Sequence, residues 1–305
     1  MRRKKIVFRI FGTILAVIFA VLFIYPTVVT LADSFMSSQE ITSHYGDVLE
    51  NQNSDSNIMW GVGEEKDTSY KSDHVKITVI PDKVTLSQYA AVLFTSPEYL
   101  FKFWNSVKLV VPIVVFQIIV ALFASYSFAR YRGRIKELTF FLYIILMLMP
   151  YQVTLVPNFI VADFMGTINT YWSIILPGIF SPFAVFILTK YMRRIPSAYV
   201  EAAKIDGAGE WKIFSRIYMP LCKGAIVSVA LLVFIDYWNM VEQPLIMLSD
   251  TDKHPLGVFL AQINTGETGL AFAVASIYMI PCILLFLYCE EYIALGITYQ
   301  GGLKS

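Results

Sequence analysis

Six long apolar runs, at residues 6–31, 105–129, 138–162, 171–192, 221–248 and 269–288, leave this chain little choice of class. A helix needs about 20 mostly apolar residues to cross about 30 Å of hydrocarbon, and each run is long enough. Lipid offers backbone N–H and C=O groups no water, so a span must satisfy its own amides, as a helix does. The expected fold is all-α, a polytopic membrane protein with six transmembrane helices. Charged residues make up 15% of the chain and mean hydropathy is +0.60, whereas soluble domains carry about 25% charged residues. A water-soluble globule is excluded.

Orientation follows from Lys and Arg, which short cytoplasmic loops retain. With the N-terminus inside, 17 of the 24 basic residues fall on the cytoplasmic side, and both termini lie there. The first run follows the basic cluster Arg2 to Lys5 and so resembles a signal peptide. Signal h-regions span about 7–15 residues, and residues 6–31 exceed that, so an uncleaved anchor is expected. The division that follows is an anchor at 1–32, an extracytoplasmic segment at 33–103, a five-helix core at 104–292 and a tail at 293–305. The external segment alternates like a strand at 75–80, reads as a surface loop around 51–57, and returns through amphipathic pieces at 85–93 and 96–103.

Several chemistries have no support. Cys222, Cys282 and Cys289 show no paired spacing, so neither a disulfide framework nor a metal cluster is implied. His254 has no Cys or His partner nearby, and no metal site is expected. A net charge of +1 gives no reason to expect nucleic acid. No Gly-x-x-x-x-Gly-Lys-Ser/Thr cradle occurs, so the chain lacks the usual means of binding ATP. Within the second run, Ala121, Ser125 and Ala129 form a low ridge that suits close helix packing.

The loop at 193–220 is the most specific feature. Pro196 is pre-set for a helix start, and the stretch from Ser197 to Asp206 favours a helix with a small-residue face at Ala198, Ala202 and Ala203. Gly207 and Gly209 supply the freedom for a bend. From Glu210 to Tyr218 a second helix is expected, with Ile213, Phe214 and Ile217 on one face and Lys212 and Arg216 on another, ended by Pro220. The result is a bent helix pair held between two spans.

The pattern Glu201-Ala202-Ala203, Asp206-Gly207-Ala208, Phe214, Ile217 and Pro220 resembles the Glu-Ala-Ala loop of binding-protein-dependent ABC importer permeases. The resemblance runs from about Phe103 to the C-terminus and takes in Asn105-Ser106, Ala129-Arg130, Trp238-Asn239, Pro244-Leu245 and Leu295-Gly296-Ile297-Thr298. It is nearest to the carbohydrate branch, in particular the smaller maltose-type subunit. Met219 stands where that family usually has Leu, and Met240-Val241-Glu242-Gln243 replaces an acidic-aromatic pair.

This resemblance implies a type I importer permease fold and import of a sugar or oligosaccharide across the cytoplasmic membrane of a prokaryote. It implies no cofactor in this chain, ATP and Mg being bound by a partner ATPase dimer gripped through the loop. A second homologous permease and an extracytoplasmic solute-binding protein complete the expected set of partners. In the fifth span Asp236, Tyr237, Trp238, Asn239 and Gln243 are candidates for the substrate pathway, because ionisable groups at membrane depth usually face a cavity or a partner. Packing between helices remains open for each, and Asp236 as an ion relay would suit a secondary transporter. A same-architecture permease for another solute is a further alternative. Asp252, His254, Asn264 and Glu267, in the outer loop, are candidates for contact with the binding protein.

Overall fold

The computed structural model describes residues 2–37, 40–41, 81, 83–131, 133–262 and 268–298, and among these every regular element is helical. The strand-like run at 75–80 and the loop at 51–57 lie outside the described residues. Among the described residues four helical segments are long and apolar enough to cross a membrane, and up to six spans result if each of two bent pairs counts as one. The chain divides into two compact units, Met1–Leu100 with Gln262–Met279, and Phe101–Ala261 with Ile280–Ser305.

In the first unit α1 (Arg2–Asp33) carries an apolar window with none of its residues buried. The chain beyond it is held to a short helix, Ser87–Ala90, through the Ser34 and Tyr89 hydroxyls at 2.7 Å and the tilted Phe35 and Tyr89 rings at 5.4 Å. Met36 and Ile41 are fully buried there.

The second unit is assembled around α2 (Pro97–Arg130). The amphipathic piece expected at 96–103 is not separate, because Pro97 opens a helix that continues through the span without a break. The small-residue ridge does what its spacing suggests. Ala121 and Ser125 are buried, and Ser125 Oγ donates to the Val185 carbonyl on α6 (Pro182–Met192) at 3.0 Å. One apolar cluster joins Ala121, Leu122, Leu188, Met192, Val200, Ile213, Phe214 and Val229. Another gathers Leu109, Ile113, Ile174, Ile175, Met247 and Leu248.

Two expected spans are sharply bent, and a third, Trp172–Met192, is interrupted but still long enough to cross as one. The run at 138–162 becomes α3 (Arg134–Met147) and α4 (Tyr151–Phe164), which meet at 102°. Pro150 is extended at ψ 143°, and a proline also drives the residue before it out of the helical region. The run at 171–192 divides into α5 (Trp172–Gly178) and α6, where the Ser181 hydroxyl caps the Ala184 N–H. The fifth span is α9 (Lys223–Trp238), which stops short of 248. Asn239 closes it with an N–H bond to the Ile235 carbonyl, whereas Gln243 does not continue its face; α10 (Glu242–Met247) starts anew. The last span lies within α11 (Thr268–Thr298), which extends past the boundary expected at 292.

Gly178 lets α2 approach α5 closely. A Cβ there would lie 3.1 Å from Ile113 Cγ2 and 3.3 Å from Cδ1. Gly178→Val is expected to destabilise the detergent-solubilised protein by about 1–3 kcal/mol through overpacking. Thermal unfolding should recover part of that loss when Ile113→Ala is added.

Candidate functional site: an elbow fastened to the bundle

The loop at 193–220 folds as two helical arms. α7 (Ser197–Ile205) closes with Gly207 at φ +73°, the Gly207 N–H on the Lys204 carbonyl at 3.0 Å and the Ala208 N–H on the Ala203 carbonyl at 2.9 Å. These are the paired bonds of a Schellman cap, in which the left-handed residue is normally glycine. Ala203 and Ala208, the two residues joined by the second of these bonds, both pack on the core.

The second arm begins as α8 (Glu210–Ile213), widens into a π-turn over Phe214–Tyr218 and resumes over Met219–Leu221. Pro220 was expected to end this arm and does not. A proline leaves the carbonyl four residues back without its donor, and a π-bulge is one way a helix accommodates such a defect. The change of direction comes at Cys222, where α9 departs at 73°.

One side of the elbow is buried and the other is bare. Val200, Ile213, Phe214 and Tyr218 lie in the core, with Ile217 packed against it. A ladder of rings ties the second arm to α2. Phe123 stacks on Phe214 at 5.3 Å, and Tyr126 meets Phe214 and Tyr218 edge-on at 5.1 and 5.0 Å. Glu210 adds polar contacts: its Oε2 accepts from the Tyr126 hydroxyl at 2.5 Å, and its Oε1 faces Lys204 Nζ at 3.4 Å and Arg130 Nη2 at 3.5 Å. Facing away are Glu201, Ala202, Asp206, Gly207 and Pro220, together with Ile205 at 87% exposure; Trp211 is 68% exposed but lies against Phe123 at 6.3 Å and Phe214 at 5.6 Å, and so extends the ladder of rings. Sequence reading singled out neither Ile205 nor Trp211, nor the fastening role of Glu210. An apolar residue at a turn and a glutamate at a helix start carry no distinctive spacing.

The substrate-pathway candidates separate. Trp238 is 2% exposed, stacked on Phe234 at 5.2 Å and edge-on to Phe103 at 5.7 Å. Its faces are occupied by protein, which assigns it to packing and not to stacking on a sugar. Asp236 is exposed, Tyr237 is half-buried between both apolar clusters, and Asn239 donates to the Ile235 carbonyl at 2.8 Å. Gln243, in the first turn of α10, lies beside Tyr151, the first residue of α4 after the sharp bend. Tyr151 thus joins this polar group, which the sequence pattern does not reveal because the bend that brings it near lies inside a single apolar run.

The loop from Asp250 to Leu256 is stapled through its backbone. Asn105 Nδ2 donates to the Asp252 carbonyl at 2.7 Å, the Leu256 N–H donates to Ser106 Oγ at 2.9 Å, and Lys102 Nζ donates to the Thr251 carbonyl at 3.3 Å. Asn169, left-handed at φ 61°, accepts from the Asp250 N–H and, through its carbonyl, from Lys253. The Asp252 N–H and the Lys253 ammonium hold the Asp250 carboxyl below the ordinary aspartate value. Asp252 is exposed, whereas His254 is buried and donates from Nε2 to the Leu248 carbonyl at 2.9 Å. The imidazole is therefore a structural bridge and not an exposed contact. Asn264 and Glu267 lie outside the described residues.

Comparison with known proteins agrees with this geometry. Residues 117–298 match the family of binding-protein-dependent transport system inner membrane components, and the chain belongs to that family. It is 30% identical to an arabinooligosaccharides transport system permease protein of Halalkalibacterium halodurans over 75% of this chain and 84% of the relative. It is 28% identical to a lactose transport system permease protein of Rhizobium radiobacter, over 74% of this chain and 85% of that one. A bacterial ABC transporter involved in the import of the acidic polysaccharide alginate shares the fold, with a TM-score of 0.75 at 21% identity, covering 95% of this chain and 98% of that chain.

No atom lies near a Cβ built on Gly207, so substitution there is limited by backbone strain alone. Gly207→Ala should lower stability by about 1 kcal/mol. Asn tolerates the left-handed region better than Ala, and β-branched Val tolerates it worst. Thermal unfolding of the purified subunit should rank the variants Asn, Ala, Val in decreasing stability.

Proposed function

We propose that this chain is the permease subunit of an ATP-driven importer that carries a sugar or oligosaccharide across the cytoplasmic membrane, with both termini inside. The observation that carries the reading is the elbow, rigidly capped, fastened to the bundle on one side, and presenting Glu201, Ala202 and Ile205 on the other. An exposed apolar tip on a rigid arm is the surface a partner covers. A separate ATPase dimer is that partner, and its closure moves the elbow and with it α2, α7 and α9. ATP and Mg belong to that ATPase.

The solute class is supported by relatives named for arabinooligosaccharides and lactose, and by family membership that implies delivery by a solute-binding protein. A second, homologous permease completes the pathway, its polar wall on this side formed by Asp236, Tyr237, Asn239, Gln243 and Tyr151. Asp252 at the tip of the stapled loop faces the binding protein.

Reconstitution of the assembled importer in proteoliposomes tests this reading. Glu201→Ala is expected to cut ATP-dependent solute uptake about fivefold or more while the subunit still inserts and assembles. Uptake that follows an ion gradient and ignores ATP would instead identify an ion-coupled transporter relying on Asp236.

A further inference from the structure

We propose that Glu210 is a latch that fixes the angle of the elbow against the Arg130 end of α2, and so acts as a positioning residue for energy coupling. This rests on the coupling role proposed above. The residue lies outside the Glu201 to Ala208 cluster on which the resemblance turns, and its side chain is where three elements meet.

The geometry is specific. Tyr126 and Arg130 are four residues apart on α2 and so share one helix face. Both reach the Glu210 carboxylate, at 2.5 and 3.5 Å, while Lys204 approaches from the last turn of α7 at 3.4 Å. The Glu210 carbonyl lies 3.4 Å from the same Tyr126 hydroxyl, so backbone and side chain are held together. Tyr126 is buried, which makes its hydroxyl costly to leave without an acceptor.

Without Glu210 the elbow would still adhere to α2 through the rings of Phe123, Phe214 and Tyr218. Ring contacts are attractive over a range of offsets and tilts. A charge-assisted hydrogen bond is directional. The rings therefore supply adhesion, and Glu210 selects one orientation. A motor that pushes on α7 delivers displacement to α2 only when the joint between them does not turn.

The test uses the full-length chain with Cys222, Cys282 and Cys289 replaced by Ala, and nitroxides on cysteines introduced at Ile205 and at Leu138. Both positions are exposed. Leu138 lies on α3, next to Glu137, which Arg193 pairs at 3.0 Å. Electron-electron distance measurements should give a narrow distribution in the parent, and Glu210→Gln and Tyr126→Phe should each broaden it. The double variant should be no broader than either single one, because partners in one interaction are not additive. In the assembled importer both variants should raise ATP hydrolysed per solute by about fivefold or more. An unchanged distance distribution in both single variants overturns the latch. A broadened distribution with an unchanged ratio supports the latch and overturns the coupling role given to the elbow.

Discussion

Hydrocarbon cannot solvate a peptide group, so each break in a membrane helix has to supply its own hydrogen-bond partners. The rest of this structure follows from how the breaks meet that demand. α3 ends in tight bonds from the Leu148 and Met149 amides to Ile145 and Leu146. α6 is capped by the Ser181 hydroxyl. Asn239 turns both its amide and its side chain onto the Ile235 carbonyl, closing α9. With their own ends satisfied, helices can stop and restart at membrane depth, and polar residues such as Tyr151 and Gln243 meet where the chain changes direction.

The two ends of the second unit are fastened by different means. At one end, side chains of α2 grip backbone carbonyls and amides between Thr251 and Leu256, so the shape of that loop depends little on its own side chains. At the elbow the grip is made by aromatic rings and one carboxylate, groups that belong to specific side chains. The first arrangement preserves a contour while leaving residues such as Asp252 free to vary. The second makes the joint depend on a few identities.

The class of fold was legible because apolar length is a strong signal, and the elbow was legible because Pro196, Gly207 and the apolar spacing through Ile217 each have a local physical meaning. The breaks were less so. Pro150 at the bend and Pro112 inside a continuous helix look alike in sequence, and tertiary neighbours decide which of them turns the chain. Trp238, for which packing between helices was left open, and His254, a candidate through the loop it sits in, both face inward here. Burial at a given depth is set by partners distant in sequence, such as Phe103 for the indole. Glu210 went unremarked for the same reason, since its significance comes from Tyr126, 84 positions earlier in the chain.

The bare tip of the elbow has a consequence for biogenesis. Ile205 projects from a turn whose cap is made within the subunit itself, so it cannot retreat into the subunit while it waits. A copy synthesised in excess would display an adhesive knob to chaperones and proteases. Supply of the subunit is then best matched to supply of whatever covers that knob, which makes orphan copies self-limiting without a dedicated sensor.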